Sequence, residues 1–214
     1  MRDGENIRQV CELGVDYIGM IFWKKSPRNV TMIPTHAGII PDRVNSQFST
    51  LNSQFKRVGV FVDEMPQNII TRAVNFKLDV IQLHGHEEPT LIRNLRSTID
   101  PDLRPGIQFW KAISIVDRDS VATYKQYEDY VDAFVFDTKC KCVGGSGQQF
   151  DWSVLDSYDG KKPFLLSGGI GPDDADRIRH FKHPQMMGID LNSRFETEPG
   201  MKNVELLKQF LTQL

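Results

Sequence analysis

Short runs of β-branched and aromatic residues recur along this chain, and an amphipathic stretch follows each run. The alternation is typical of repeated βα units around a parallel sheet, because parallel strands are buried on both faces and joined by helical crossovers. The runs predict seven strands: Val15–Phe22, Arg57–Val62, Leu78–His84, Phe109–Ile115, Ala133–Thr138, Pro163–Ser167 and Met186–Leu191. The amphipathic stretches predict helices at Gly4–Leu13, within Thr31–Phe55, and at Gln67–Phe76, Glu87–Ser97, Arg118–Tyr130, Ser153–Ser157, Asp173–Phe181 and Val204–Leu214.

The predicted order of elements begins with a helix and has no strand before it. In a closed (β/α)8 barrel each helix follows a strand, so we expect this sequence to begin one strand late. Its 214 residues suit one domain over 1–214, although length alone does not separate a barrel from a doubly wound sheet. The expected fold class is α/β, a (β/α)8 barrel whose N-terminal strand is absent from this chain.

The composition suits a globular protein that has no general attraction for polyanions. Hydrophobic residues make up 40% of the chain and charged residues 25%, which is enough apolar material for one ordinary core. The formal net charge is −2. We therefore expect no nucleic-acid partner, and any bound phosphate must be held by local groups.

The three cysteines, Cys11, Cys140 and Cys142, are odd in number and have no framework spacing, so we expect no disulfides. No stretch resembles a signal peptide or is apolar for long enough to cross a bilayer, so we expect a cytoplasmic protein without a membrane partner. Cys140 and Cys142 flank one residue, but such a pair is a weak metal signal without a second pair, and no metal is expected. Cys11 is expected in the core.

The segment Pro34–Phe55 is the least regular part of the chain and is rich in Ser, Asn and Gln. Such a composition favours a lengthened connection or an irregular helix. A lid over the functional site is the alternative.

Three late strand ends are rich in glycine and small polar residues: Gly144–Gly147, Ser167–Gly169 and Asp190–Ser193. The βα loops of a parallel barrel open onto one face, and glycine lets successive backbone N–H groups converge on phosphate oxygens. Asp173 or Asp174 can cap the helix after the second loop. Each glycine pair alone could form only a tight turn, but three neighbouring loops favour a phosphate site. Its candidate residues are Gly145, Ser146, Gly147, Gly168, Gly169, Asp190, Asn192 and Ser193.

Three further residues at strand ends are candidates for chemistry. Asp137 ends a largely apolar run, where partial burial would favour proton donation; capping of loop N–H groups is the alternative. Arg28 follows the first predicted strand and could clamp a carboxylate in two-point geometry, or be a solvated basic residue. His84 ends the third predicted strand and could contact a substrate or simply pack.

Several segments together resemble the phosphoribosylanthranilate isomerases, and the resemblance covers nearly the whole chain. The segments that carry it are, in chain order, Asp16–Gly19 leading to Ser26–Arg28, Val58–Val62, Gln82–Gly85, Trp110–Ala112, Phe136–Thr138, Gly144–Gly147 with Phe150–Trp152, Leu166–Gly169, and Gly188–Ser193 with Pro199-Gly200.

The resemblance implies a TIM-type (β/α)8 barrel in tryptophan biosynthesis that needs no metal or organic cofactor. Its substrate would be the phosphorylated small molecule N-(5′-phosphoribosyl)anthranilate, rearranged by an Amadori reaction to 1-(2-carboxyphenylamino)-1-deoxyribulose 5-phosphate. Asp137 matches the general acid of the family, and Arg28 matches the residue that holds the anthranilate carboxylate. The three late loops match the phosphate site. We expect a monomer or a homodimer.

The general base of this family is a cysteine in a Lys-x-Cys-Gly segment on the first strand, and this sequence has no such segment. We therefore expect the chain to be weakly active or inactive. Cys140 or Cys142 could replace the base only if it came within hydrogen-bond reach of the proton. The alternative functions are a non-catalytic phosphosugar-binding barrel and another phosphosugar barrel isomerase or synthase.

Overall fold

The structure, a computed structural model, describes residues 1–30, 55–99, 106–138 and 151–214. Seven strands form one curled parallel sheet whose spatial order follows the chain order from β1 to β7. The strands are β1 Tyr17–Ile21, β2 Lys56–Phe61, β3 Val80–Leu83, β4 Gln108–Ile115, β5 Ala133–Thr138, β6 Phe164–Ser167 and β7 Met186–Ile189. All seven predicted strands are therefore confirmed, with small shifts at their ends.

Helices connect these strands. The α-helices are α1 Gly4–Cys11, α2 Pro66–Asn75, α3 Pro89–Thr98, α4 Arg118–Ala122, α5 Ala175–His180 and α6 Val204–Leu211. Short 3₁₀ helices lie at Thr123–Gln126, Trp152–Ser157, Pro172–Asp174 and Ser193–Phe195. The helix predicted within Thr31–Phe55, like nearly all of the segment Pro34–Phe55, lies outside the described residues.

One local prediction needs correction, and one element was not predicted. The helix predicted over Arg118–Tyr130 is the short α4 followed by a 3₁₀ turn that ends at Gln126. The unpredicted element is a small antiparallel hairpin, in which β8 (Glu196–Glu198) pairs with β9 (Met201–Lys202). These strands are too short and too polar to form an apolar run, and Pro199-Gly200 between them supplies the turn.

Side-chain caps define where several helices begin. Asp3 accepts a hydrogen bond from the backbone N–H of Asn6 at 2.8 Å, and this bond starts α1. Asn203 accepts from the N–H of Leu206 at 3.1 Å and starts α6 in the same way. Such caps satisfy backbone donors that the first helical turn leaves without partners. The amphipathic patterns that predicted these helices are thus supported by their capping residues.

Two buried apolar clusters cover the two faces of the sheet. Alternate residues of the strands form the inner cluster, which contains Val58, Val80, Trp110, Ala112, Ala133, Val135 and Leu165. The intervening residues, such as Phe109 and Ile113 of β4, join the helices in a larger cluster on the outer face. Strand side chains alternate between the two faces of the sheet. Side chains that lie on the same face as the inner cluster, but nearer the strand ends, therefore point into the space enclosed by the curled sheet.

The two outermost strands of the sheet are β1 and β7. Within the described ranges, β1 pairs along its length only with β2, and β7 only with β6. The α/β class and the parallel sheet of the predicted barrel are confirmed as a seven-stranded, curled sheet. None of the helices in these ranges has the length and apolar character needed to cross a membrane.

Candidate active site

Two of the predicted site residues meet at the carboxyl end of the sheet. Asp137 is the penultimate residue of β5, and His84 directly follows β3. The distance from His84 Nε2 to Asp137 Oδ2 is 3.4 Å, a long hydrogen bond across the intervening strand β4. The Asp137 side chain is 18% exposed and the His84 side chain 30%, so both are accessible from the mouth of the sheet.

Gln82 orients the ring of His84. It lies two residues earlier, so its side chain projects from the same face of the sheet, and its amide nitrogen is 3.0 Å from His84 Nδ1. An amide N–H that donates to Nδ1 leaves the ring proton on Nε2, from which it donates to Asp137. Gln82 and Asp137 therefore contact the two ring nitrogens of His84 from opposite ends of the ring.

A buried ion pair holds the loop that carries His84. The Lys111 ammonium on β4 donates to the carbonyl oxygens of Leu83 at 3.3 Å and Gly85 at 2.7 Å, the two residues that flank His84. It also lies 3.2 Å from Glu87 Oε2, and both charged side chains are almost completely buried. Burial lowers the pKa of Lys111, and the charge of Glu87 opposes that shift. The backbone on both sides of His84 is therefore tied to β4.

The second predicted phosphate loop packs against the strand that carries Asp137. Gly168 and Gly169 have φ angles of +96° and +67°, a region that favours glycine. A Cβ atom on Gly168 would lie 2.1 Å from the carbonyl oxygen of Thr138 and 2.8 Å from Asp137 Oδ1. The Thr138 hydroxyl donates to the carbonyl oxygens of Ser167 at 2.9 Å and Gly168 at 3.1 Å. Glycine is therefore required at 168 both by backbone conformation and by space.

The third predicted loop is linked to the second through side chains. The hydroxyl of Ser167 donates to Asp190 Oδ2 at 3.0 Å. Asn192 and Ser193 are exposed, and Asn192 Oδ1 accepts a hydrogen bond from Lys202 Nζ at 2.9 Å. The described parts of these two loops therefore lie side by side at the mouth of the sheet.

Asp174 contacts the second loop rather than capping the helix that follows. It is the N-cap residue of α5 but makes no side-chain capping hydrogen bond to that helix. Its Oδ2 instead accepts a hydrogen bond of 2.7 Å from the buried backbone N–H of Gly171, at the start of the 3₁₀ turn that leads into α5. Asp173, the other predicted cap, is exposed.

Arg28 is held in an ion-pair network rather than solvated. Its Nε and Nη2 atoms donate to both carboxylate oxygens of Glu196 at 2.6 to 3.1 Å. Lys202 Nζ lies 3.3 Å from Glu196 Oε1. Burial raises the pKa of Glu196, but the hydrogen bonds from Arg28 and the charges of Arg28 and Lys202 outweigh this effect and leave its pKa below the usual value. Glu196 is therefore ionised at neutral pH.

Five residues of this arrangement were not among the predicted site residues: Gln82, Glu87, Lys111, Glu196 and Lys202. Lys111 carried a signal, because a charged residue inside the apolar run Phe109–Ile115 implies a buried partner. Glu196 carried none, since it lies in a short polar segment 168 residues from Arg28 along the chain.

Some predicted residues lie outside the described part of the chain: Gly145, Ser146, Gly147, Cys140 and Cys142. Cys11 is in the core as predicted, and burial raises the pKa of its thiol to about 12. Within the described ranges, no group of three or more His, Cys, Asp or Glu side chains is suited to holding a metal ion.

Comparison with known proteins identifies one family. A family model described as N-(5′-phosphoribosyl)anthranilate (PRA) isomerase matches residues 1–213. The N-(5′-phosphoribosyl)anthranilate isomerase of Parabacteroides distasonis is 42% identical over 216 residues, which cover 100% of this chain and 90% of the relative.

Solved structures agree with the sequence comparison. The phosphoribosyl anthranilate isomerase of Thermotoga maritima has a TM-score of 0.76 and 27% identity, with coverage of 100% of this chain and 94% of that chain. A phosphoribosyl anthranilate isomerase in complex with reduced 1-(o-carboxyphenylamino)-1-deoxyribulose 5-phosphate has a TM-score of 0.74 and 25% identity, with the same coverage.

Proposed function

The chain belongs to the family of N-(5′-phosphoribosyl)anthranilate isomerases, and from this premise we propose which of its residues serve the reaction. Its function is the isomerisation of N-(5′-phosphoribosyl)anthranilate, a phosphorylated small molecule, to 1-(2-carboxyphenylamino)-1-deoxyribulose 5-phosphate in tryptophan biosynthesis. The family match over residues 1–213 carries this conclusion.

Asp137 is the general acid in this proposal. It donates a proton to the furanose ring oxygen, the bond from that oxygen to C1′ breaks, and the anthranilate nitrogen forms a Schiff base with C1′. A base then removes the proton at C2′ to give an enolamine, which tautomerises to the amino ketone. The His84 N–H, 3.4 Å from Asp137 Oδ2, stabilises the carboxylate formed in the first step.

Arg28 binds the anthranilate carboxylate, and the glycine-rich loops bind the phosphate. For the phosphate, the support is the left-handed backbone of Gly168 and Gly169, which turns successive N–H groups toward one side. Asp190 braces these loops through Ser167. Gly145, Ser146, Gly147, Asn192 and Ser193 complete the proposed phosphate site.

The general base is not assigned to a residue of this chain. Cys11 is excluded, because its thiol is buried and a pKa of about 12 leaves it protonated at neutral pH. Cys140 and Cys142 lie outside the described residues, so no base is assigned among them, and a non-catalytic protein that binds the same phosphorylated ligand is the second candidate function.

We propose that residues 1–214 form a single domain of the (β/α)8-barrel type, whose described part is the seven-stranded curled sheet and in which the place of the eighth strand lies between β1 and β7. The support is the structural similarity to the isomerases and the two edges themselves. The assembly is a monomer or a homodimer, and its location is the cytoplasm.

Turnover of N-(5′-phosphoribosyl)anthranilate by the chain and by Asp137→Asn tests the proposed acid. The variant should lose a factor of about 10² to 10⁴, the usual contribution of a proton-transfer group. Asp173→Asn, an exposed carboxylate, is the matched control.

Calorimetry with the reduced product analogue tests the binding site independently of turnover. Binding without turnover supports the non-catalytic alternative. If the chain turns over the substrate, equal turnover by Asp137→Asn would rule out Asp137 as the acid, and an absence of binding would refute the proposed substrate site.

A further inference from the structure

The Glu196 carboxylate accepts hydrogen bonds from one edge of the Arg28 guanidinium. Arg28 Nε lies 2.8 Å from Glu196 Oε2 and 3.1 Å from Oε1, and Nη2 lies 2.6 Å from Oε2. The Glu196 side chain is 4% exposed and the Arg28 side chain 22%. A buried carboxylate therefore holds a partly accessible guanidinium in two-point geometry.

This contact leaves the other edge of the guanidinium for a ligand. A guanidinium has five N–H donors in a plane, and Glu196 uses those of Nε and one on Nη2. Arg28 Nη1 makes no hydrogen bond to any described residue. The edge formed by Nη1 and the outer N–H of Nη2 thus faces away from Glu196, and it can bind a second carboxylate with the same planar geometry.

Lys202 is a second cation that holds the Glu196 carboxylate in place. Its ammonium lies 3.3 Å from Glu196 Oε1 and 2.9 Å from Asn192 Oδ1. The Lys202 side chain is almost completely buried, and the charge of Asp190 also acts on it. The carboxylate that orients Arg28 is thereby anchored to the loop that contains Asn192.

We propose that Glu196 is a positioning residue for carboxylate recognition: it fixes the plane of Arg28 so that the Nη1–Nη2 edge receives the anthranilate carboxylate. The proposal rests on the proposed role of Arg28. A free arginine must order several rotatable bonds when it binds a ligand, and prior orientation removes part of that cost. Glu196 therefore contributes to the affinity for ligands that carry this carboxylate, without touching them.

Two other roles of Glu196 make different predictions. A latch that competes with the substrate for Arg28 would occupy the edge that the substrate needs, so its removal would strengthen binding. A brace that only ties the β8–β9 hairpin to the loop after β1 would affect every ligand equally. The effect of Glu196 on ligands with and without the carboxylate distinguishes these roles.

Calorimetry with two ligands provides the test. One is reduced 1-(o-carboxyphenylamino)-1-deoxyribulose 5-phosphate, and the other is the same molecule without the ring carboxylate. Glu196→Gln should weaken the first ligand about tenfold, the factor for ordering one long side chain on binding, and leave the second almost unchanged. Glu198→Gln, an exposed glutamate on the same hairpin, is the matched control and should change neither Kd.

Arg28→Ala separates this inference from the proposed function. If Arg28→Ala does not reduce the preference for the carboxylate ligand, the proposed role of Arg28 is wrong. If Arg28→Ala reduces that preference but Glu196→Gln weakens both ligands equally, strengthens the first or has no effect, the positioning role is wrong.

Glu196→Asp covers the case in which Glu196→Gln does not fold. It keeps the charge but withdraws the carboxylate by one methylene, so it should weaken the carboxylate ligand selectively. An unchanged ratio of the two Kd values in this folded variant would overturn the proposal.

Discussion

The ion pair between Glu87 and Lys111 leads to a quantitative prediction for Glu87→Gln. The charged groups are 3.2 Å apart, and neither side chain is more than 3% exposed. The Glu87 carboxylate also accepts hydrogen bonds from the backbone N–H groups of Asp63 at 2.9 Å and Gly85 at 2.8 Å. Glutamine has nearly the same shape but only one acceptor oxygen, so one backbone donor loses its partner as the ammonium loses its counter-charge.

Breaking a buried ion pair from one side typically costs about 3 to 5 kcal/mol. The carbonyl oxygens of Leu83 and Gly85 still solvate the ammonium, which places the expected loss near 3 kcal/mol. Against a total stability of about 5 to 15 kcal/mol, this loss is large but leaves the variant folded.

Urea denaturation at pH 7 measures the free energy of unfolding. Glu88→Gln, at the adjacent exposed glutamate, is the control and should change it by less than about 0.5 kcal/mol. The double variant Glu87→Gln/Lys111→Met should be more stable than the sum of the single losses predicts, because it also removes the unpaired charge. A loss below about 1 kcal/mol for Glu87→Gln, or additive losses for the two single variants, would show that the buried ion pair does not stabilise the fold in this way.

The pH dependence of the free energy of unfolding gives a second measure of the unpaired Lys111 charge in Glu87→Gln. Burial lowers the pKa of Lys111 in the folded state, and removal of Glu87 lowers it further. Between the folded and unfolded pKa values the unfolded chain binds more protons, so stability rises with pH. The deficit of Glu87→Gln should therefore shrink as the pH is raised from neutrality towards about 10, near the unfolded lysine pKa. A deficit independent of pH would point to lost packing.

Three further predictions concern single residues. Glu64→Gln should lower the free energy of unfolding by about 2 to 3 kcal/mol at pH 7. Burial raises the pKa of Glu64, but hydrogen bonds from Asn68, Arg72 and a backbone N–H outweigh burial and hold this pKa at about 2. In acid denaturation, the extra stability of the wild type should therefore persist above pH 4.5 and disappear as the pH falls through 2. Cys11 should resist iodoacetamide in the native chain and react in denaturant, as peptide mapping would show; native labelling would contradict its burial. Gly168→Ala should lower the melting temperature more than Gly169→Ala, because both have positive φ but only the Cβ at 168 meets neighbouring atoms; equal losses would remove the steric argument.

Much of the sheet was predictable from the sequence, because each buried strand corresponds to a short apolar run of neighbouring residues. The apolar run Ala133–Thr138 coincides with β5, since a parallel strand buried on both faces must be apolar almost throughout. Asp137 was identifiable as a polar interruption at the end of this run. The glycines at 168 and 169 were equally visible, because a loop that needs positive φ selects glycine.

The partners of these residues were not predictable, because they come together only through the tertiary structure. The charge of Lys111 within an apolar run implied a buried partner, but the sequence did not show that this partner is Glu87. Nothing in the local sequence of β8 connects Glu196 to Arg28. The pairing of side chains depends on how strands are tilted and how loops return to the sheet, and no short sequence pattern records those distances.

The order of the strands along the chain, the residue types at their ends and the family of the chain thus follow from the amino-acid sequence alone. The contact by which Gln82 orients His84, and the position of Glu196 along one edge of Arg28, arise only when the chain folds. The physical reason is that backbone conformation and burial act over a few neighbouring residues, whereas hydrogen bonds and ion pairs act through space between residues far apart in the chain.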